Sequence, residues 1–273
     1  MKICIVTIDH GKPDLTSVLY SSITKQTQNN IEVHFVVLEN SRKIGREKYS
    51  YLCDSSDRNI SSELHFLEND GYFGTASNYL KNTNFDHFSW VIVCNNDLTL
   101  DVDFLSTLEN QQANIAEKLL VCPGIIENGR NINPLSRAVY PNVKRNFWDF
   151  YYKHYFFAFC YEFIRIPISK LKFLVRSAFT NDSEIEGDIY LGYGAMFLIS
   201  PLFINKMGGL PVKTFLYQEE SVICGYARSF GNWPYFLPAL RVHHESHSTL
   251  RYISFDKDYQ FRRDAWWATR DIL

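Results

Sequence analysis

Four short stretches of the chain hold residues whose types and spacing suit chemistry. Residues 94–100 (CNNDLTL) place Asp97 after Asn95 and Asn96 at the end of an apolar run. These are hard oxygen donors of the kind that hold Mg2+ or Mn2+ on a diphosphate. The same residue types favour turns and helix N-caps, so a plain turn is the competing reading. Residues 68–79 (ENDGYFGTASNY) place Gly71 and Gly74 just before a helical pattern. Glycine permits close backbone approach, and free N–H groups at a helix start attract phosphate. A glycine pair on its own more often makes only a turn. Residues 215–221 (FLYQEES) set Glu219 and Glu220 side by side at a helix entry. A carboxylate near another anion has its pKa raised toward the range useful for taking a proton. Acids that complement a helix dipole would look the same. Residues 242–249 (VHHESHST) hold three histidines and a Glu. Neighbouring strand residues point to opposite faces, so at most one of His243 and His244 faces a common site. His247 fits a polar surface loop.

These residues need a scaffold that brings them together. Residues 2–8, 31–38, 64–67, 90–94 and 119–122 are short β-branched or apolar runs and read as strands. Helical spacing occupies 14–27, begins again at 75, and returns at 102–110. Alternating strands and helices imply a Rossmann-like, mostly parallel central sheet with helices on both faces. Ligands in such sheets bind beyond the carboxyl ends of the strands. Three polar clusters fall there: Asp9/His10, Glu39/Asn40/Ser41 and Asn95/Asn96/Asp97. Further on, 128–146 reads as a loop, 189–200 as a strand or strand pair, 201–207 as a short helix, and 233–244 as a strand. Residues beyond 249 carry no element in this reading.

The chain has 273 residues, is 46% hydrophobic and carries a net charge of -2, which excludes intrinsic disorder. Thirteen Gly and nine Pro exclude a collagen-like chain. A chain this long buries enough surface to fold without disulfide or metal staples. Near-balanced charge gives no steering toward nucleic acid. The six cysteines are widely spaced with no CxxC pair, which speaks against zinc and for a reducing cytosol. The N-terminal apolar run is too short for a signal peptide, and no stretch reaches the ~18–20 apolar residues of a membrane span. The expected location is therefore cytoplasmic. Composition is not uniform. Residues 147–163 hold eleven aromatics, and 144–176 hold seven Lys or Arg against Asp149 and Glu162. Aromatics with interleaved bases suit a membrane interface with anionic head groups. A helical arm packed on the domain or on a second subunit is the alternative.

In this order and at these distances, the four stretches resemble family 2 glycosyltransferases of the GT-A fold. The nearest likeness is the rhamnosyltransferase-like branch that builds bacterial surface polysaccharides such as O-antigen or capsule. The resemblance covers about 2–270, with an aromatic and basic helical insertion at about 144–180. It implies one domain over 1–273, with a nucleotide-sugar-binding half (1–125) and an acceptor-binding half (126–273). The family's first-strand turn matches Thr7-Ile8-Asp9, and its base- and ribose-binding turn matches Glu39-Asn40-Ser41. Its glycine signature matches Asn69, Gly71, Phe73, Gly74, Ala76 and Asn78. The Asp-x-Asp-like metal element is Asn95-Asn96-Asp97, with an amide in place of the first acid. The acceptor-side strand is Gly194 to Ile199, and Phe215, Tyr217, Glu219 and Glu220 match the catalytic motif, with Glu in place of its final Asp. His244 to Ser248 closes the set.

The resemblance implies an inverting, metal-dependent hexosyl transfer. A nucleotide-diphosphate sugar, of rhamnose or a hexose, would donate to a glycan hydroxyl, the acceptor being lipid-linked. Asp97 and His244 would hold Mg2+ or Mn2+, and Glu220, with Glu219 second, would be the base. Thr7, Asp9, Glu39, Asn40, Asn69, Gly71, Gly74, Asn78, Asn95 and Asn96 would line the donor site, with Gly194 and Tyr217 on the acceptor side. The 144–176 segment would bring a cytoplasmic protein to the inner membrane face. Two other classes stay open. A sugar-1-phosphate nucleotidyltransferase would need a Gly-rich basic loop after the first strand, where this chain has IDHGKPD. A non-catalytic nucleotide-sugar-binding subunit fits the Asn95 and Glu220 departures. Donor identity and oligomeric state are open at this level.

Overall fold

Strand-forming runs at the start of the chain become β1 (Lys2–Asp9), β2 (Glu32–Glu39), β3 (Ile60–Phe66) and β4 (Trp90–Asn95) of one sheet. The computed structural model describes residues 1–26, 30–53, 59–164, 184–245 and 254–272. Between the strands lie α1 (Pro13–Thr24), a 3-10 segment (Arg46–Cys53) and α2 (Tyr72–Leu80). Then follow β5 (Leu98–Leu100), α3 (Phe104–Ile115), β6 (Leu120–Glu127) and β7 (Arg130–Asn131). Next come α4 (Asn142–Lys153) and α5, helical over 155–164. The remainder is β8 (Gly187–Asp188), β9 (Met196–Ile199), α6 (Pro201–Met207), α7 (Glu219–Ser229), β10 (Tyr235–His244) and α8 (Phe255–Thr269).

The sheet has ten strands in the order β3-β2-β1-β4-β9-β6-β10-β5, with β7 on β6 and β8 on β10. Two parallel blocks, β3-β2-β1-β4 and β6-β10, are joined by antiparallel β9. Alternate residues of each strand face opposite layers, as a two-residue side-chain period requires. Ile3, Ile5, Phe35 and Ile92 pack with Leu19, Ile23, Phe104 and Leu108 from α1 and α3. Cys4, Val6, Val36 and Val91 pack with Phe73, Phe203 and Ile223 from α2, α6 and α7. Both faces are covered, as the alternating pattern implies.

Several elements differ from the sequence reading. The third strand begins at Ile60, ahead of the apolar core of its run. Residues 128–146 contain β7 and the start of α4 rather than loop alone. Of 189–200, only Met196–Ile199 is a strand, while β8 lies just before that stretch. The C-terminal α8 is an element the sequence reading lacked. Its Ser254 and first-turn Asp256 and Asp258 are helix-start signals.

The aromatic segment folds inward on one side. Tyr151, Tyr152 and Ala158 form a small core with Tyr259 and Trp266 of α8. Asp149 accepts bonds from the Arg270 guanidinium (2.6 Å at its shortest) and from Trp266 Nε1 (2.9 Å). Tyr259 donates to the carbonyls of Tyr151 and Tyr152. The arm therefore packs on its own domain. Residues 165–180 of the expected insertion lie outside the described residues. All six cysteines are free. No described helix is long and apolar enough to cross a membrane.

Candidate active site

The carboxyl ends of the parallel strands line up the polar clusters. Asp9 of β1 is in register with Glu39 of β2, and Ile8 with Asn95 of β4. His244, the last residue of β10, pairs with Leu98 directly after Asp97. Because β9 is antiparallel, its entry residues arrive at this same edge, where Asn95 N–H donates to the Ala195 carbonyl (2.8 Å).

Most of the residues expected to line the donor site are bonded to other protein groups. Thr7 is fully buried and donates to the Cys94 carbonyl at 3.1 Å. Asp9, also fully buried, accepts from Lys12 N–H (2.6 Å), Thr16 Oγ1 (2.6 Å) and Tyr49 OH (3.0 Å). Glu39, equally buried, accepts from the N–H groups of Ser41 (2.9 Å) and Arg42 (3.1 Å) and from the Ser41 hydroxyl. Asn40 links His10 Nδ1 (2.9 Å) to Thr75 Oγ1 (2.9 Å). Asn69 accepts from Gly71 N–H, and Asn78 donates to Asp70. Asn96 donates to Thr16 Oγ1 at 3.0 Å and so pins the Asp97 loop to the start of α1. The close approach that Gly71 permits is filled by protein: a Cβ there would lie 2.0 Å from the Phe215 carbonyl oxygen, and its φ is +80°. A Cβ at Gly74 would meet Asp70 at 2.9 Å.

A cleft of about 270 Å³ opens beside this edge, lined by Tyr72, Asn95, Tyr193, Gly194, Glu219 and Glu220 among others. The structure thus brings together Asn95, Gly194, Tyr217 and both glutamates, far apart in sequence. A larger hollow of about 620 Å³ lies at the other end of the strands, near Ile31, Val33 and Ile60. Among the described residues its lining holds one titratable side chain, Glu109, whereas the smaller cleft gathers Glu219 and Glu220.

The two glutamates differ. Burial and the adjacent Glu220 push the Glu219 carboxyl up to about 7, against the pull of N–H groups of its own turn. Burial raises Glu220 as well. Its carboxylate leans on Gly194, where a Cβ would lie 3.3 Å from Oε2. The turn that presents them is strained. Tyr217 and Gln218 have φ of +68° and +63°, a region that non-glycine residues rarely adopt. Tyr217 OH donates to Asp258 of α8, and the Arg262 guanidinium lies 4.4 Å from the Tyr217 ring centre. Phe215 stacks on Phe261. Asp258 and Arg262 were invisible to motif reasoning, as was the half-buried Tyr72, whose hydroxyl oxygen is buried with no hydrogen-bond partner among the described residues.

Across from the glutamates, Asp97 Oδ1 lies 3.3 Å from His244 Nε2, a distance of ion pairing without hydrogen-bond alignment. Burial alone would lower the His244 pKa, but Asp97 and Glu127 beside it raise it above the usual value. Asp97 Oδ1 and His244 Nδ1 are both buried without a hydrogen-bond partner. His243 points elsewhere, to Asp101 at 2.7 Å. His247 and Ser248 lie outside the described residues. A divalent cation fits this donor set, because a buried carboxylate oxygen without a hydrogen-bond donor is a hard ligand such a cation can use. Among the described residues no group of three His, Cys, Asp or Glu comes together around a metal position.

No protein-family model matches the sequence, and no curated protein matches it. Solved structures do match. S. aureus TarS 1-349 in complex with UDP-GlcNAc has a TM-score of 0.59 at 11% identity, over 98% of this chain and 66% of that one. The mannosyltransferase PcManGT from Pyrobaculum calidifontis, in complex with GDP-Man and Mn2+, scores 0.59 at 12% identity over 92% and 58%. GalNAc-T7 with UDP, GalNAc and Mn2+ scores 0.54 at 14% identity over 89% and 44%. This chain spans less than two thirds of the length of each of these structures. At such identities the likeness establishes architecture, and the mixed α/β architecture with its ten-stranded sheet is the GT-A glycosyltransferase fold.

Proposed function

We propose that this protein is an inverting glycosyltransferase, moving a sugar from a nucleotide-diphosphate sugar to a hydroxyl of a glycan acceptor. The observation that carries the reading is the pair Glu219–Glu220, held in a cleft at the same strand edge as Asp97 and His244. Glu220 is the base. Glu219 accepts N–H bonds from its own residue and from Tyr217, whereas Glu220 accepts, among the described residues, only its own N–H and its carboxylate lies toward Gly194. Glu220 takes the proton of the acceptor hydroxyl as that oxygen bonds to the sugar's anomeric carbon. The nucleoside diphosphate leaves from the opposite face, so the centre inverts. A raised carboxyl pKa suits this task near neutral pH. Asp97 and His244 would hold Mg2+ or Mn2+, with donor phosphate oxygens completing the coordination as is usual for Mg2+ sites. When bound, the cation supplies positive charge to the departing diphosphate. Buried Asp9 and Glu39 brace the turns that meet the nucleoside. The sequence resemblance favours family 2, its rhamnosyltransferase-like branch and a lipid-linked polysaccharide acceptor. The solved neighbours are crystallised with UDP-GlcNAc, GDP-Man or UDP, so a panel of donors is the proper start.

The test is release of nucleoside diphosphate from a panel of nucleotide-sugars, with and without acceptor, Mg2+ or Mn2+. Wild type is expected to turn over one donor in an acceptor- and cation-dependent way. Glu220→Gln is expected to lose about 10²–10⁴-fold in rate, the usual scale for a general base, while still binding the donor. Full turnover by that variant sinks the base assignment. Formation of nucleoside triphosphate and sugar 1-phosphate when pyrophosphate is added to a nucleotide-sugar, in place of nucleoside diphosphate release, would make the protein a nucleotidyltransferase.

A further inference from the structure

The aromatic arm has an inner face packed on α8 and an outer face that, among the described residues, is largely exposed. Phe157, Ala158 and Tyr161 of α5 turn toward α4 and α8. Phe156, Phe159 and Phe163 recur at the spacing of a single helix face. Phe156 and Phe163 stand out from the protein, exposed to 78% and 67%, while Phe159 is exposed to 39% and touches Phe255. Phe159 and Phe163 stack with centroids 4.9 Å apart. Val143 and Phe150 of α4 and Ile164 of α5 are exposed as well. A concentration of exposed apolar side chains on one short segment marks a contact surface.

Charge identifies the partner. The arm's two acids are engaged within the protein: Asp149 is bound by Arg270 and Trp266, and Glu162 accepts the Tyr151 hydroxyl at 2.9 Å. Its exposed ionic groups include Lys144 and Lys153. Exposed phenyl rings on an arm whose lysines are exposed and whose acids are bonded within the protein match an anionic lipid surface. There the rings enter the head-group boundary and the bases meet phosphate. We infer that the outer face of α4 and α5 binds an anionic membrane surface peripherally, with Phe156, Phe159 and Phe163 as the inserted groups. This deepens the proposed function, since it would hold the cleft near a lipid-linked acceptor. The binding is measured without any sugar transfer, so either reading can fail alone.

Flotation of the full chain with vesicles tests it, using phosphatidylcholine alone and phosphatidylcholine with phosphatidylglycerol. Wild type is expected to float with the anionic vesicles and to bind the neutral ones at least tenfold less. Phe156→Glu/Phe163→Glu is expected to lose at least tenfold in partitioning. Lys144→Glu/Lys153→Glu is expected to lose binding at low salt and to show little further salt dependence. An unchanged melting temperature and donor turnover on a soluble acceptor show that the variants are folded. If the double Phe variant does not fold, the lysine pair decides alone. Wild type that stays unbound at low salt overturns the proposal, as does undiminished flotation of the variants. Concentration-dependent dimerisation abolished by Phe156→Glu, without flotation of wild type, assigns the face to a second copy instead.

Discussion

Glu219 and Glu220 are adjacent in sequence but are asked to do different things. Burial and its neighbour raise the Glu219 carboxyl from the ordinary 4.5 to about 7. Between those values the unfolded chain loses its proton while the folded protein keeps it. Stability therefore falls as pH rises through that window, and the loss is complete above about 7. Glu219→Gln, of the same shape but without a titrating proton, escapes the loss. The variant is expected to gain on wild type from pH 5 to 7 and to hold a constant advantage above, with a ceiling on the order of 3 kcal/mol. Melting temperatures across pH check this, and a difference that stays flat removes the assigned cause. The sequence shows where these acids stand but not how they are held. Asp9 reads as a nucleotide contact because it ends a strand. Its bond from Tyr49, forty residues on, depends on a tertiary approach that no local pattern encodes.

At the scale of elements, the decisive piece is the turn from Phe215 to Gln218. Its two left-handed residues cost roughly 1–3 kcal/mol each, so neighbouring structure must hold them in place. Gly71 leaves room on one side, and α8 grips the other through Phe261, Asp258 and Arg262. Asp258→Asn is expected to lower kcat about 10- to 100-fold, as small misplacements of catalytic groups do, while donor KM changes little. Loss of stability at unchanged kcat would show that the contact only supports the fold. The parallel strands were legible because buried β-branched runs have few other uses. The helix that grips the turn was not. Its buried positions, Tyr259, Ala265, Trp266 and Thr269, are scattered among six charged residues from Asp256 to Asp264, which blurs the helical period. The arm was half legible: its composition announced a surface, but not that one of its faces is spent on α8.

For the whole molecule, the sheet order carries a consequence for how the chain is held together. β5, from the first half, pairs with β10, and β9, from the second half, pairs with β4. Each half thus lends one strand to the other. A chain divided at the 116/117 bond, after α3, would leave each piece with a raw sheet edge that only the other can cover. Neither piece is expected to fold alone. Co-expressed, the two are expected to co-purify on a single tag and to regain native circular dichroism. Pieces that fold separately would contradict this. The chemistry is divided at the same cut, with Asp97 on one piece and His244, Glu219 and Glu220 on the other. If the proposed transfer holds, its activity would report reunion of the pieces with no background from either one, so the lacing of the sheet makes the protein a natural split reporter of its own assembly.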